Sequence, residues 1–256
     1  MGAFVETLRG LMLDLINYMA KLIDELSVFF PAYNEEKNIE NTVRKAKSVL
    51  EEIADEWEII IVNDGSSDRT GEISEDLAKE DPRIRLITHP PNRGYGASLK
   101  SGFHNSRYPW IAFTDSDGQF DFSEIAKFIE TQRQTNADLV IGYYKKRQVS
   151  KFKVVTSKMW ELAVMILFGL KVRDIDCGFK FISKKVFDKI PQLESERGAF
   201  ISSEFLIKAK KSGFKIVEIP VTHLPRLAGK GTGRNINVII KSFVDLFKLW
   251  KKLRKY

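Results

Sequence analysis

A chain of 256 residues, 43% hydrophobic and 29% charged, can bury one large α/β core or two small ones. Its single cysteine, Cys177, excludes an intrachain disulfide framework and suits a reducing compartment. The net charge of +7 is unevenly spread, residues 241–256 holding six Lys or Arg against one Asp.

The first 26 residues carry Phe4, Leu8, Leu11, Leu15, Met19, Leu22 and Ile23 at helical spacing, which predicts an amphipathic helix. Glu6, Arg9 and Asp14 interrupt the apolar run, so it does not read as a signal peptide. The period then changes. Residues 27–30 read as a short apolar strand stopped by Pro31, 38–53 as a helix, and 58–62 as a second buried strand ending in the turn Asn63-Asp64-Gly65-Ser66. Ser67 or Asp68 is placed to cap a helix running to about Lys79. A third strand over 84–88, a helix over 95–105, a fourth strand over 110–114, a helix over 122–136 and a fifth strand over 139–141 follow. The most apolar stretch, residues 159–170, is shorter than the roughly 20 residues a membrane span needs. The expectation is a soluble or peripheral protein of the cytosol.

Strands alternating with helices in this way predict βαβ units and a mostly parallel sheet. Such sheets bind ligands beyond the carboxyl ends of their strands. "PAYNEE", "NDGSSD" and "TDSDGQ" each follow a strand directly, so they converge on one edge. In "FTDSDGQFD" the carboxylates Asp115 and Asp117 are one residue apart, with Gln119 two further on. Alone the stretch is equally a solvated turn. At a strand end it suits a hard cation, since Mg2+ and Mn2+ take oxygen ligands, often one or two carboxylates plus substrate phosphates. Asp64 is placed to meet the polar edge or ribose of a nucleotide. No Gly-rich dinucleotide fingerprint follows the first strand, which argues against a dinucleotide redox enzyme, and no Walker lysine loop is present. His89, His104 and His223 lack metal-ligand spacing and read as structural; Cys177 reads as a small buried residue.

Five segments in order, "FFPAYNEEKNI", "IIIVNDGSSDRT", "NRGYGASLKSG", "FTDSDGQF" and "DIDCGFKFISKKVF", resemble the inverting family 2 glycosyltransferases of the GT-A fold. More narrowly they are similar to the dolichyl-phosphate mannose and glucose synthases. The resemblance implies an α/β nucleotide-diphospho-sugar transferase domain over 27–235, flanked by amphipathic terminal helices over 1–26 and 236–256. It implies a nucleotide site from Pro31, Tyr33, Glu35 and Asp64, together with Asp115 and its neighbour Ser116, where the family commonly has Ala. It implies that Asp115 and Asp117 bind Mg2+ or Mn2+ and diphosphate, with Gln119 completing the metal shell. Asp174, Gly178, Phe179 and Lys180 match the segment lining the acceptor side, and Asp115, Asp117, Lys180 and Glu204 form the candidate catalytic set. Glu204 is open between a base and a group orienting Lys180 or another cation. "RLAGKGTGR" at 226–234 resembles a basic loop over the diphosphate, with Arg226 and Lys230 as its cations. The Gly118-Gln119 pairing with "DCGFK" leans toward the glucose-transferring relatives.

The implied reaction moves a hexose, glucose or mannose, from a nucleoside diphosphate sugar to a polyprenyl (dolichyl) phosphate at the cytosolic membrane face. A polyprenyl phosphate needs no general base, because its oxygen is already anionic; positioning and charge balance remain. In "YYKKRQVSKFK" Arg147, Lys151 and Lys153 suit the acceptor phosphate, or equally a solvated loop. The basic, aromatic face of residues 236–256 suits a membrane surface or packing on the domain. A membrane-anchoring subunit is a compatible partner; nucleic acid is not expected, because the aromatics lie apart from the lysines. Transfer to a sugar hydroxyl and a non-catalytic nucleotide-sugar-binding subunit are the alternatives.

Overall fold

The computed structural model describes residues 21–144, 151–196, 198, 200–225 and 236–254. Residues 1–20, and with them most of the helix predicted for 1–26, lie outside the described residues, as do Arg147, Arg226 and Lys230.

Seven strands form one sheet: β1 (Ile23–Ala32), β2 (Ala54–Asn63), β3 (Ile84–Thr88), β4 (Trp110–Phe113), β5 (Leu139–Tyr144), β6 (Lys180–Ser183) and β7 (Ile216–Val221), in the spatial order β3-β2-β1-β4-β6-β5-β7. The pairs β1–β2, β1–β4, β2–β3 and β5–β7 are parallel, and β6 runs antiparallel to both neighbours. The helices are α1 (Ile39–Ile53), α2 (Thr70–Glu80), α3 (Tyr95–Asn105), α4 (Ile125–Thr135), α5 (Lys151–Phe168), α6 (Lys184–Lys189), α7 (Phe200–Lys211) and α8 (Ile236–Leu253).

The α/β alternation holds through β5. β1 begins earlier than expected: Ile23 pairs with Ala54 and Leu26 with Trp57, so residues 23–26 are strand and not the end of the N-terminal helix. Their spacing fits either element, and burial of Ile23 and Leu26 on the sheet decides for the strand. β6 and β7 are additions. β6 is buried at every residue and shows no alternation. β7 contains Pro220, which an edge strand tolerates.

Sheet order positions the site. Ala32 pairs with Asn63, and Phe113 ends β4 beside β1. Because β6 is antiparallel, its first residue, Lys180, pairs with the last of β4, Phe113. The segment 174–179 is thereby delivered to the edge where "TDSDGQ" begins. Below that edge Phe29 stacks on Phe113, ring centres 5.0 Å apart, and packs edge-on to Phe103 of α3.

On the same face, α5, α7 and α8 pack together beside α3, with Phe205 of α7 stacked on Phe103 at 5.3 Å. Leu246 and Leu249 of α8 are buried, and Phe243 meets Trp160 of α5 edge-on at 5.0 Å. The inner face of α8 is therefore a packed helix face. Its outer face leaves Val244 and Phe247 exposed, and α5 exposes Met159, Leu162, Met165 and Ile166, the last at 71%. Among the described residues no helix is long and apolar enough to cross a membrane.

Candidate active site

Two of the polar loops are zipped together by their own side chains. Asn34 adopts a left-handed backbone (φ 56°) as the chain leaves β1. Its N–H donates to Ser66 Oγ (3.0 Å), and its Oδ1 accepts from Ser67 N (2.8 Å). Glu35 N donates to Thr70 Oγ1 at 2.8 Å, and Glu36 N to Asp68 Oδ2 at 3.1 Å. Tyr33 stands half-exposed on this rim, while Pro31 is buried within β1 opposite Val62. Ser116 is buried, and its hydroxyl donates to Pro31 O at 2.8 Å. It joins the ends of β1 and β4, which accounts for a hydroxyl at that position.

The turn from Asp117 to Gln119 pivots on Gly118, whose φ of 72° favours glycine. Gln119 N donates to Asp117 Oδ1 at 3.0 Å, holding that carboxylate. The Gln119 amide donates from Nε2 to Leu224 O at 3.2 Å, and Leu224 N returns a bond to Gln119 O at 2.8 Å. The segment that follows β7 thereby closes on the acidic turn, and the amide oxygen is the end of Gln119 suited to a cation. Asp115 Oδ1 accepts from the Tyr95 hydroxyl at 3.1 Å. Burial, with the Asp115 charge, pushes the Tyr95 phenol well up, so it stays a proton donor. A Cβ on Gly178 would lie 2.4 Å from Asp115 Oδ2, so the "DCGFK" segment lies directly against this carboxylate.

Among the described residues no three His, Cys, Asp or Glu side chains cluster as a self-sufficient metal cage. Asp115, Asp117 and the amide oxygen of Gln119 are nonetheless the hard donor set that fits Mg2+ or Mn2+ when a substrate diphosphate supplies the remaining ligands.

Two members of the candidate catalytic set are engaged by groups of the protein itself. Lys180 is buried under the segment 174–179; its ammonium donates to the carbonyls of Ile175 and Cys177 and lies 5.5 Å from the centre of the Phe113 ring. Burial lowers its pKa. Glu204 is also buried, and its carboxylate accepts from Glu194 N (2.8 Å), Ser195 N (2.9 Å) and Lys208 Nζ (2.6 Å). Burial works to raise its pKa, but the bonds from Lys208 and Ser195 prevail and hold it down. Asp174 is buried and accepts from Asp176 N at 3.2 Å, turning the segment 174–179 back on itself. Lys151 and Lys153 fall in the first turn of α5.

Asp64 is buried at the end of β2. Its Oδ1 accepts from Arg93 N (2.9 Å) and lies 2.8 Å from His89 Nδ1, and its Oδ2 accepts from Gly94 N (2.7 Å). These bonds turn the carboxylate onto the loop ahead of α3. Sequence alone reads His89 as structural, and it bridges Asp64 and Ser101; sequence alone does not single out Tyr95, which bonds Asp115. The nearest signal was the strand-loop-helix passage "THPPNRGYG", whose second half belongs to one of the five segments that carry the resemblance.

The sequence profile of glycosyl transferase family 2 matches residues 27–191. The glycosyltransferase AglD of Haloferax volcanii is 32% identical over 208 residues, 79% of this chain and 33% of that protein, so the chain spans a third of that relative's length. The dolichyl-phosphate beta-glucosyltransferase ALG5A of Trichomonas vaginalis is 31% identical over 237 residues, 88% of this chain and 72% of that protein. Among solved structures, glucosyl-3-phosphoglycerate synthase from Mycobacterium tuberculosis, in complex with Mn2+, UDP-glucose and phosphoglyceric acid, is similar at a TM-score of 0.66 and 17% identity, covering 89% of this chain and 80% of that one. That likeness speaks for the fold.

Proposed function

The chain belongs to glycosyl transferase family 2, and from that premise we propose that it transfers a hexose from a nucleoside diphosphate sugar to a polyprenyl phosphate at the cytosolic surface of a membrane. The observation that carries this reading is the meeting of two segments on one carboxylate. Asp115 belongs to the donor-side turn, and Gly178 of the acceptor-side segment lies against it.

An oxygen of the acceptor phosphate forms a bond to C1 of the hexose. The bond from C1 to the donor's diphosphate oxygen breaks, and the nucleoside diphosphate leaves with the electron pair. Attack from the opposite face inverts the anomeric configuration. The acceptor oxygen is already an anion, so no side chain has to remove a proton. This accords with Glu204 being engaged by Lys208 and two backbone amides. A divalent cation, Mg2+ or Mn2+, when bound would neutralise charge on the leaving diphosphate. Asp115, Asp117 and Gln119 would hold it. Pro31, Tyr33 and Glu35 form the rim for the nucleoside, and Asp64 serves the donor through the loop it gathers. Lys180 keeps the acceptor-side segment in shape from beneath. Arg147, Lys151 and Lys153 are assigned to the acceptor phosphate.

The membrane part of the proposal rests on the apolar ridge of α5 and the outer face of α8, where Phe247 stands beside Lys248 and Lys251. Apolar side chains rimmed by cations are the signature of an interfacial surface.

The test is a transfer assay with UDP-glucose, GDP-mannose and their base-swapped counterparts. Each is offered with Mn2+ or Mg2+ and a short polyprenyl phosphate in anionic vesicles. Expected is metal-dependent formation of a lipid-linked hexose from one donor. Transfer to free sugar hydroxyls with none to the lipid phosphate would overturn the acceptor assignment.

A further inference from the structure

Asp115 is gripped from two directions. One oxygen accepts from the Tyr95 hydroxyl at 3.1 Å, and Gly178 crowds the other. Tyr95 is the first residue of α3, so the aim of its phenol depends on the rotation and axial position of that helix. Two attachments fix both. Asp64 accepts from the N–H groups of Arg93 and Gly94, at 2.9 and 2.7 Å, which pins the chain just ahead of the helix. His89 reaches the helix further along, its Nε2 lying 2.8 Å from Oγ of Ser101, nearly two turns after Tyr95. Both attachments meet at one point, because Nδ1 of the same imidazole lies 2.8 Å from Asp64 Oδ1. An ionised carboxylate only accepts, so Nδ1 carries the proton of that bond. A helix held at its start and again near its second turn can neither rotate nor slide.

We propose that Tyr95 is a positioning residue that fixes the Asp115 carboxylate for the cation and diphosphate, and that Asp64, His89 and Ser101 form the clamp that aims it. The proposal rests on the reading of Asp115 as a cation and diphosphate carboxylate. Groups that orient a metal-binding carboxylate commonly change affinity by roughly tenfold or more when removed. The Tyr95 hydroxyl contributes here by holding one rotamer of Asp115 ready.

The variants are Tyr95→Phe, His89→Gln, the two combined, and Asp115→Asn. Mn2+ is titrated calorimetrically into each protein with UDP and, separately, with GDP as the diphosphate probe, and melting is recorded alongside. Tyr95→Phe is expected to raise the Mn2+ concentration for half-saturation roughly tenfold at an unchanged melting temperature. His89→Gln moves it in the same direction and less, and the double variant moves it no further than Tyr95→Phe alone, because both act through one contact. Wild-type Mn2+ binding in Tyr95→Phe, with loss of binding in Asp115→Asn, overturns the positioning role and leaves the site reading standing. Wild-type binding in Asp115→Asn overturns both. Strict additivity in the double variant overturns the clamp. Should His89→Gln not fold, Tyr95→Phe alone decides the positioning role.

Discussion

Gly178 and Asp115 are in contact across the candidate active site: a Cβ built on the glycine would stand 2.4 Å from Oδ2 of the carboxylate. Only a residue without a side chain leaves the acid where it is. The glycine of "DCGFK" is thus a spacing requirement imposed by an acid 63 positions earlier in the chain.

Gly178→Ala tests this directly. The added methyl group must push the Asp115 carboxylate away, and with it the bond from Tyr95. Diphosphate binding in the presence of Mn2+ is expected to weaken roughly tenfold, about 1.4 kcal/mol, while the far-ultraviolet spectrum stays native. Unchanged binding of UDP and GDP with Mn2+ would show that Asp115 sits elsewhere when the site is loaded.

Asp117→Asn removes one negative charge from the donor set and keeps the shape of the turn, since the amide oxygen can still accept from Gln119 N. Metal-dependent transfer is expected to fall roughly 100-fold or more, in line with the several kcal/mol that a cation contributes to a developing anion. Rates are compared at saturating donor, with and without chelator. A variant as fast as wild type, or wild-type turnover undiminished in excess chelator, sinks the assignment.

Cys177 yields a pH prediction. Burial pushes its thiol up from 9.0 to about 12, so in that window the native chain keeps a proton that the unfolded chain loses. The unfolded state then binds fewer protons, and stability falls as pH rises. The contribution is complete below pH 9.0 and lost on the way to about 12. The melting temperature of wild type should drop more steeply than that of Cys177→Ala between pH 9 and 11. At pH 8 the native thiol should resist a disulfide reagent that labels the denatured chain at once. Rapid, complete labelling of native protein at pH 8 contradicts the burial argument.

The residues show why some of this was legible in the sequence. β1 through β5 announce themselves because apolar runs end abruptly in Asn, Asp, Gly and Ser, and the acidic turn after β4 is local in sequence. β6 was hidden because "KFIS" is four residues, buried at every position, and shows no period to detect. The surroundings of Lys180 and of Glu204, the latter left open in the sequence between a base and a group orienting a cation, were hidden for a different reason. Charged side chains near a motif suggest chemistry, but burial and bonds to the backbone of residues 175, 177, 194 and 195 come from tertiary packing alone. The bond from Tyr95 to Asp115 and the clamp on Asp64 likewise join loops that only the sheet order brings together.

The membrane surface offers the last test, and packing changes which element to alter. In the sequence the basic tail suits a membrane surface or packing on the domain, and the burial of Leu246 and Leu249 shows that the inner face of α8 is packed. Deleting residues 241–256 would therefore open the core, at about 2–5 kcal/mol for each large side chain lost, and could not separate binding from folding. The ridge on α5 can be altered without that cost. Met159, Leu162 and Ile166 are all more than half exposed, so replacing the three with Gln removes apolar area that water already touches. If this ridge enters the interface, the triple variant should melt within about 2 °C of wild type, as surface changes usually do. It should also lose most of its binding to anionic vesicles and most of its transfer to a lipid acceptor. Binding of the nucleotide donor should be untouched. Salt separates the two contributions: the attraction of Lys248 and Lys251 is screened as ionic strength rises, whereas the apolar contribution persists, so wild type should be partly retained on vesicles at high salt and the triple variant released. Equal co-sedimentation of both proteins at low and at high salt would remove α5 from the membrane argument.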